Sequence, residues 1–254
     1  MFLSHEVWRR QAGLWSVVLT CEHASNDLHS EINPRWCWTE EERAVGLPET
    51  HWALDIGARS LTLDLLDGLD RVKDELGPSH LSTAGGCLVA VCARFGRLLL
   101  DCNRPVGSDT MFRQQCDGHL VSLNQTITQE DERERRKLFY EPYHEAIDAE
   151  VKAQRPIIVL SIHSFTPVYE GSIRTMEVGV LFNDRAKELG RKVREARISE
   201  TVLTHQVVHC SALREGNPCS RERTVLRDDK RRDVLRGHSR GGGTLELSIT
   251  SKGV

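Results

Sequence analysis

The sequence is poor in the features that mark specialised classes of protein. No apolar run approaches the roughly 20 residues that a membrane span requires. The N-terminal stretch MFLSHEVWRRQAGLW lacks the continuous apolar core of a signal peptide. The expectation is a cytoplasmic protein with no membrane partner. Charge of one sign is also scarce: the formal net charge is −3 over 254 residues, which offers no electrostatic footprint for nucleic acid. One run, RERTVLRDDKRRDVLR, holds seven Arg/Lys against four acids from Arg221 to Arg236. It reads as a solvated helix face or loop rather than a phosphate-binding patch. No CxxC pair occurs among the eight cysteines, which argues against a Cys-rich structural zinc site and for reduced thiols in a cytosol-like compartment. No internal repeat and no Pro/Gly/Ser-rich linker divides the chain, so residues 1–254 read as one domain.

What is present alternates between two periods. Strand-like segments are Val17–Cys21, Leu88–Cys92, Leu98–Cys102, Ile157–Ile162, Val178–Phe182, Val202–His209 and Thr244–Ile249. Helical spacing is clearest in HWALDIGARSLTLDLLDGL, with apolar residues at 54, 58, 61, 65, 66 and 69. EDERERRKLFYEPYHEAIDAEVKAQ and DRAKELGRKVREA suggest two more helices, the first broken or kinked at Pro142. Strands alternating with helices predict an α/β fold: a single three-layer domain with a mixed, mostly parallel sheet and helices on both faces. In such sheets functional groups gather beyond the carboxyl ends of the strands.

Two strand-like segments deliver a histidine there. WSVVLTCEHASND runs into Glu22 and His23, and IIVLSIHSFTP ends on His163 and Ser164. Imidazoles are common zinc ligands, and a catalytic zinc takes three protein ligands and keeps one position open. The third ligand is expected to be a carboxylate, with Glu22, Asp55, Asp101 and Glu177 as candidates. Asp55 lies four residues after His51, on one face if both are helical; it reads equally as a first-turn aspartate favoured by the helix dipole. Asp101 in LLLDCNRP ends a strand and serves either the site or a turn that holds Arg104. Glu246, in GGGTLELSI, is a carboxylate in an apolar β-prone run: either an outward residue of an edge strand or a proton carrier beside a metal. Arg97, Arg104 and Arg174 sit at strand ends or turns, where guanidinium forks suit an acidic substrate; surface ion pairs are their other use. Cys21 beside His23 offers a cysteine-dependent hydrolase as a third option, opposed by the opposite facing of adjacent strand residues.

The blocks VLTCEHASN, HWALDIGA, RLLLDCNRP, EPYHEAI and SIHSFTPVYEGSIRTMEVGVLF, in this order, resemble the N-formylglutamate amidohydrolase family. The resemblance runs in blocks from about residue 17 to 183, with a weaker tail through Glu246. It implies a phosphorylase/hydrolase-like fold and a hydrolase with one zinc ion per chain, releasing formate from N-formyl-L-glutamate in histidine degradation. By the same resemblance His23, Asp55 and His163 are the metal ligands, with Glu22 the rival of Asp55. Glu246 is the catalytic glutamate, and Asn103 and Arg104 bind the substrate carboxylate with Arg97 and Arg174 as helpers. Two segments depart from the family branch. An arginine is expected soon after the late glutamate and an Asn-Glu-Pro-Tyr-like segment before it, where this chain has LELSIT and EGNPCS. Asn217 and Pro218 remain. The alternative reading is therefore a substrate-diverged or non-catalytic member that binds a ligand on the same fold.

Overall fold

The computed structural model describes residues 4–11, 16–75, 86–153, 157–169, 172–175, 178–182, 186–188, 190–191 and 244–252, the last stretch by its backbone. One sheet carries the fold. Its strands, in spatial order, are β1 (His5–Gln11), β3 (Cys87–Ala93), β2 (Ser16–Cys21), β6 (Ile157–Phe165), β10 (Thr244–Lys252) and β9 (Val178–Phe182). The inner pairs β3–β2, β2–β6 and β6–β10 are parallel, while β1 and β9 are antiparallel edges. The expected mixed, mostly parallel α/β sheet is the one formed. Two hairpins lie apart from it: β4 (Gln115–Cys116) with β5 (His119–Leu120), and β7 (Val168–Tyr169) with β8 (Ser172–Ile173).

Helices α1 (Glu40–Ala44), α2 (Ala58–Glu75), α3 (Ser122–Gln125), α4 (Gln129–Arg135) and α5 (Glu141–Ala153) complete the described elements. Every residue of β2 is buried, as a strand covered on both faces requires. Val17 and Leu19 point to one face and meet Leu66 of α2 together with Leu88 and Ala90. Val18 points to the other face, into a core with Phe139, Tyr143, Ile147 and Val151 from the α5 side. The period of two along the strand thus sorts its side chains between the two helical layers.

Four sequence expectations are corrected by the structure. Leu98–Cys102 is no strand. Leu98, Leu99 and Leu100 are fully buried, yet the backbone turns, with Leu99 N donating to Gly96 O at 3.0 Å and Asp101 N to Met111 O at 2.9 Å. A short apolar run signals burial, and periodicity alone does not distinguish a buried turn from a strand. The helix expected from His51 begins only at Ala58. Gly57, at φ 78°, turns the chain into it, so His51 and Asp55 sit in the preceding turns rather than on one helical face. Strand β6 continues to Phe165, which makes His163 a strand residue instead of a loop residue. Finally, β1 has no clean alternation of buried and exposed residues, and its sequence HEVWRRQ gave no strand signal. Pro142 acts as expected: Arg136–Tyr140, just before it, forms a π-helical turn between α4 and α5. Val202–His209, Glu177, the basic run from Arg221 to Arg236, the altered segment around Asn217 and most of the DRAKELGRKVREA helix lie outside the described residues.

One buried side chain organises the segment under the site. The Asn124 amide donates to the carbonyls of Leu98 and Arg113, both at 2.8 Å, and its oxygen accepts from Arg135 at 2.6 Å. Burial lowers the pKa of Arg135 to about 10, which leaves it charged at neutral pH. Asn124→Ala takes a donor from the Leu98 and Arg113 carbonyls and removes one of three acceptors from the buried Arg135 guanidinium, which keeps Leu99 O and Leu123 O. It should cost about 2–4 kcal/mol, read as a lower urea midpoint with unchanged slope; a loss below about 0.5 kcal/mol would contradict this role.

A candidate metal centre in an arginine-lined cavity

The carboxyl ends of β2 and β6 adjoin where the strand order reverses, because the chain leaves β2 for β3 on one side and returns to β6 on the other. Clefts form at such points. His23 follows β2, and His163 lies near the end of β6. Asp55 is brought to them by the turn before α2, where its N–H donates to His23 O at 2.9 Å. The loop after β3 joins through Arg97 N, which donates to Ala53 O at 3.1 Å. Gly96 on that loop touches the Asn26 backbone so closely that a Cβ would lie 3.0 Å from it. Any side chain there would have to push the Asn26 backbone back by a few tenths of an ångström.

Both imidazoles turn Nδ1 toward the same oxygen. Asp55 Oδ2 is 2.8 Å from His163 Nδ1 and 3.4 Å from His23 Nδ1. The three donor atoms all lie within 4.8 Å of one another. Behind His23, Nε2 meets Asp101 at 2.8 Å; behind His163, Nε2 lies 3.5 Å from both Glu22 Oε2 and Asn103 Nδ2. Carboxylates behind metal-binding imidazoles fix their orientation and raise their basicity, so the donor set and its backing fit a divalent cation. Glu22 stands behind His163 rather than in the inward group. One of its oxygens accepts from Thr20 at 2.8 Å and Ser161 at 3.1 Å, while the other is buried without a partner. Arg97 bonds Asp55 on the other carboxylate oxygen, touches His23 Nδ1, and donates to His51 O at 2.6 Å.

Electrostatics hold the two buried carboxylates charged. Burial pushes the Asp55 pKa upward, but Arg97, His23 and the hydrogen bond from His163 together outweigh it and hold the carboxyl well below its usual range. Asp101 behaves alike: burial is outweighed by His23, Arg97 and Arg104, and its pKa is also lowered. Burial and Arg97 lower the pKa of His23, and Asp101 and Asp55 raise it by more. Burial and Arg97 keep His51 on the low side despite Asp117, so it is neutral at pH 7.

A cavity of about 300 Å³ opens over the cluster, and its wall includes Asn103, Arg104, Arg97 and Arg174 beside His23, Asp55 and His163. Arg104 lies 3.5 Å from Asp101, and Arg174 sits over the Phe165 ring at 5.6 Å. The sequence reading missed Trp52 and Arg113, which also line the cavity, and gave His51 no role beyond its spacing from Asp55. Nothing in the DTMFRQQC stretch distinguishes Arg113 from a surface residue. Glu246 is placed by its backbone alone. It pairs with Val159, whereas Thr250 is the residue opposite His163; four residues of strand are about 13 Å. Among the described residues, Cys21 and five other cysteines form no disulfide. Cys21 is buried and its thiol is pushed up by hydrogen bonding to Cys92 and by burial, the opposite of an activated nucleophile.

Residues 15–209 match the family described as FGase, N-formylglutamate amidohydrolase. The fold is similar to the crystal structure of a gene product from Agrobacterium tumefaciens, 20% identical with a TM-score of 0.65, over 97% of this chain and 84% of that one. It is also similar to the crystal structure of N-formylglutamate amidohydrolase from Ralstonia eutropha, 14% identical with a TM-score of 0.50, over 97% of this chain and 85% of that one. At these identities the likeness is one of fold. No curated protein sequence gives a significant match. No helix among the described residues is long and apolar enough to cross a membrane.

The lowered pKa of Asp55 carries a prediction for the metal-free protein. Its unfolded value is about 3.9, so its stabilisation stands in full above that pH and is lost as pH falls through the lower folded value. Urea midpoints of chelator-treated wild type and Asp55→Asn should differ at pH 6 and converge in acid below about pH 4. A difference that stays constant down to pH 2 would contradict the charge assignment.

Proposed function

The chain belongs to the N-formylglutamate amidohydrolase family, and from that premise we propose that it is a zinc-dependent hydrolase of small N-acyl amino acids, with N-formyl-L-glutamate the first candidate substrate. The observation that carries this reading is the convergence of His23 Nδ1, His163 Nδ1 and Asp55 in one group, with Asp101 and Glu22 placed behind the imidazoles. Two imidazoles, one carboxylate and open space beside them match the ligand pattern of a catalytic zinc site. In this reading His23, Asp55 and His163 hold one ion per chain.

Such an ion supplies Lewis-acid polarisation of the amide carbonyl and acidifies a water. The chain's own residues do the remainder. Asn103 and Arg104 hold the substrate's α-carboxylate, and Arg174, in the same cavity lining, contributes positive charge. Arg97, already beside Asp55 and His23, is placed to stabilise charge that develops on the carbonyl oxygen. A proton must pass from the attacking water to the departing nitrogen. The resemblance assigns that task to Glu246, but the geometry favours His51. It lines the cavity, is neutral at pH 7, and its Nε2 has no partner. By the resemblance, the altered LELSIT and EGNPCS segments correspond to ones that grip substrate in the family, so a different acyl group or amino acid is the second reading. A reducing, cytoplasmic setting belongs to this reading.

The reading is tested by formate release from N-formyl-L-glutamate before and after chelation. Activity should vanish with chelator and return with zinc; activity indifferent to chelator would end it. Asp55→Ala should lose bound zinc, whereas Glu22→Ala should retain it with weakened affinity, about 10- to 100-fold; equal zinc content in wild type and Asp55→Ala would remove Asp55 from the ligand set. His51→Gln should lower kcat by about 100-fold or more, with zinc content unchanged. If Glu246→Gln produces that loss instead, the proton-carrying role returns to Glu246.

A further inference from the structure

Four arginines line the cavity, namely Arg97, Arg104, Arg113 and Arg174, and they are not equivalent. Arg97 is committed to Asp55, His23 and the His51 carbonyl. Arg104 is paired with Asp101, and Arg174 is seated on Phe165. Arg113, like Arg174, is seated on an aromatic ring, but on an indole that is itself tied down. Its guanidinium lies over the Trp52 ring, 5.0 Å from the centroid, and among the described residues no carboxylate is within ion-pair distance of it.

The platform beneath Arg113 is built rather than incidental. Trp52 Nε1 donates to Asp117 Oδ2 at 2.7 Å, which fixes the indole in its plane. The His51 ring packs against Trp52 with centroids 4.8 Å apart. The backbone under Arg113 is anchored by the buried Asn124, which donates to its carbonyl at 2.8 Å. A guanidinium stacked on an aromatic face keeps its in-plane donors available and loses little freedom when a carboxylate binds. It is a preorganised fork in the wall of the cavity where, in the reading above, Asn103 and Arg104 hold one carboxylate.

Taking the reaction class from the amide-hydrolase reading above, we propose that Arg113, carried on Trp52, binds the second carboxylate of the substrate. The cavity thereby selects N-acyl amino acids with an acidic side chain over their neutral isosteres. Arg113 is the specificity-determining residue, and Trp52 is a positioning residue that acts through it.

The test compares N-formyl-L-glutamate with N-formyl-L-glutamine, which differ only in the charge of the side-chain terminus. Calorimetric binding to the full chain and steady-state formate release are both measured for wild type, Arg113→Gln and Arg113→Lys. Wild type should bind the glutamate compound more tightly by about 10- to 100-fold, the range of a charge-assisted hydrogen bond. Arg113→Gln should abolish that preference by weakening the glutamate compound alone. Its KM should rise, with kcat held within about threefold, and Arg113→Lys should recover part of the preference. The proposal is overturned if wild type shows no preference in binding, or if Arg113→Gln weakens both compounds by the same factor, as a purely structural role would. The preference surviving in Arg113→Gln would overturn it too. Binding that prefers the glutamate compound through Arg113 without formate release would support the subsite and reject the hydrolase reading. Formate release with no role for Arg113 in the preference would do the reverse.

Discussion

A carboxylate taken out of water must be neutralised, and the centre of this molecule is arranged around one that is. Asp55 is 5% exposed. Removing such a charge from water costs several kcal/mol, even after relaxation, unless partners return it. Here the partners come from three other places in the chain: His23 after β2, His163 near the end of β6, and Arg97 after β3. Each of these cationic or proton-donating groups is in turn held by something else, Asp101 for His23, Glu22 and Asn103 for His163, and the His51 carbonyl for Arg97. The loops beyond the sheet are thereby locked to one another by charge as well as by backbone bonding. The same arrangement that resolves the burial of Asp55 leaves two imidazole nitrogens and a carboxylate oxygen facing one point.

The sheet makes this possible because it is stiff where the site needs it. Strands β2 and β6 are parallel neighbours in the interior, covered by α2 on one face and by the α5 side on the other. Their carboxyl ends are therefore fixed to within the tolerance of a packed core. Groups at those ends inherit that rigidity, as a preorganised metal or catalytic site requires. The cavity wall is softer in origin, being made of turns. Asn124, Gly96 and the Trp52–Asp117 bond each give one part of that wall a defined position.

Much of this was legible in the sequence, and the failures have physical causes. His23 and His163 stood out because each terminates a strongly β-prone run, and strand ends in α/β sheets are where sites form. Asp55 was one of four candidate carboxylates, and the resemblance put it in the ligand set; its spacing to His51 suggested a shared helical face, whereas Gly57 delays the helix until after both residues. Arg113 and Trp52 gave no signal, since a cation–aromatic pair between residues 61 positions apart exists only once the chain has folded. Leu98–Cys102 shows the limit of apolar runs as strand signals: burial was read correctly and conformation was not. Glu246 rests on the resemblance alone; the backbone register pairs it with Val159 and pairs Thr250 with His163.

The central claim is that His23, Asp55 and His163 together form the metal centre. X-ray absorption at the zinc edge of the zinc-loaded protein tests it most directly, because it reports ligand types without reference to turnover. The account predicts about four ligands: two imidazole nitrogens, with the remaining scatterers light oxygens at about 2.0–2.2 Å. The imidazole signature should be lost together with zinc retention in the His23→Ala, His163→Ala double variant. A sulfur shell at about 2.3 Å, or zinc binding that persists unchanged in that variant, would contradict it.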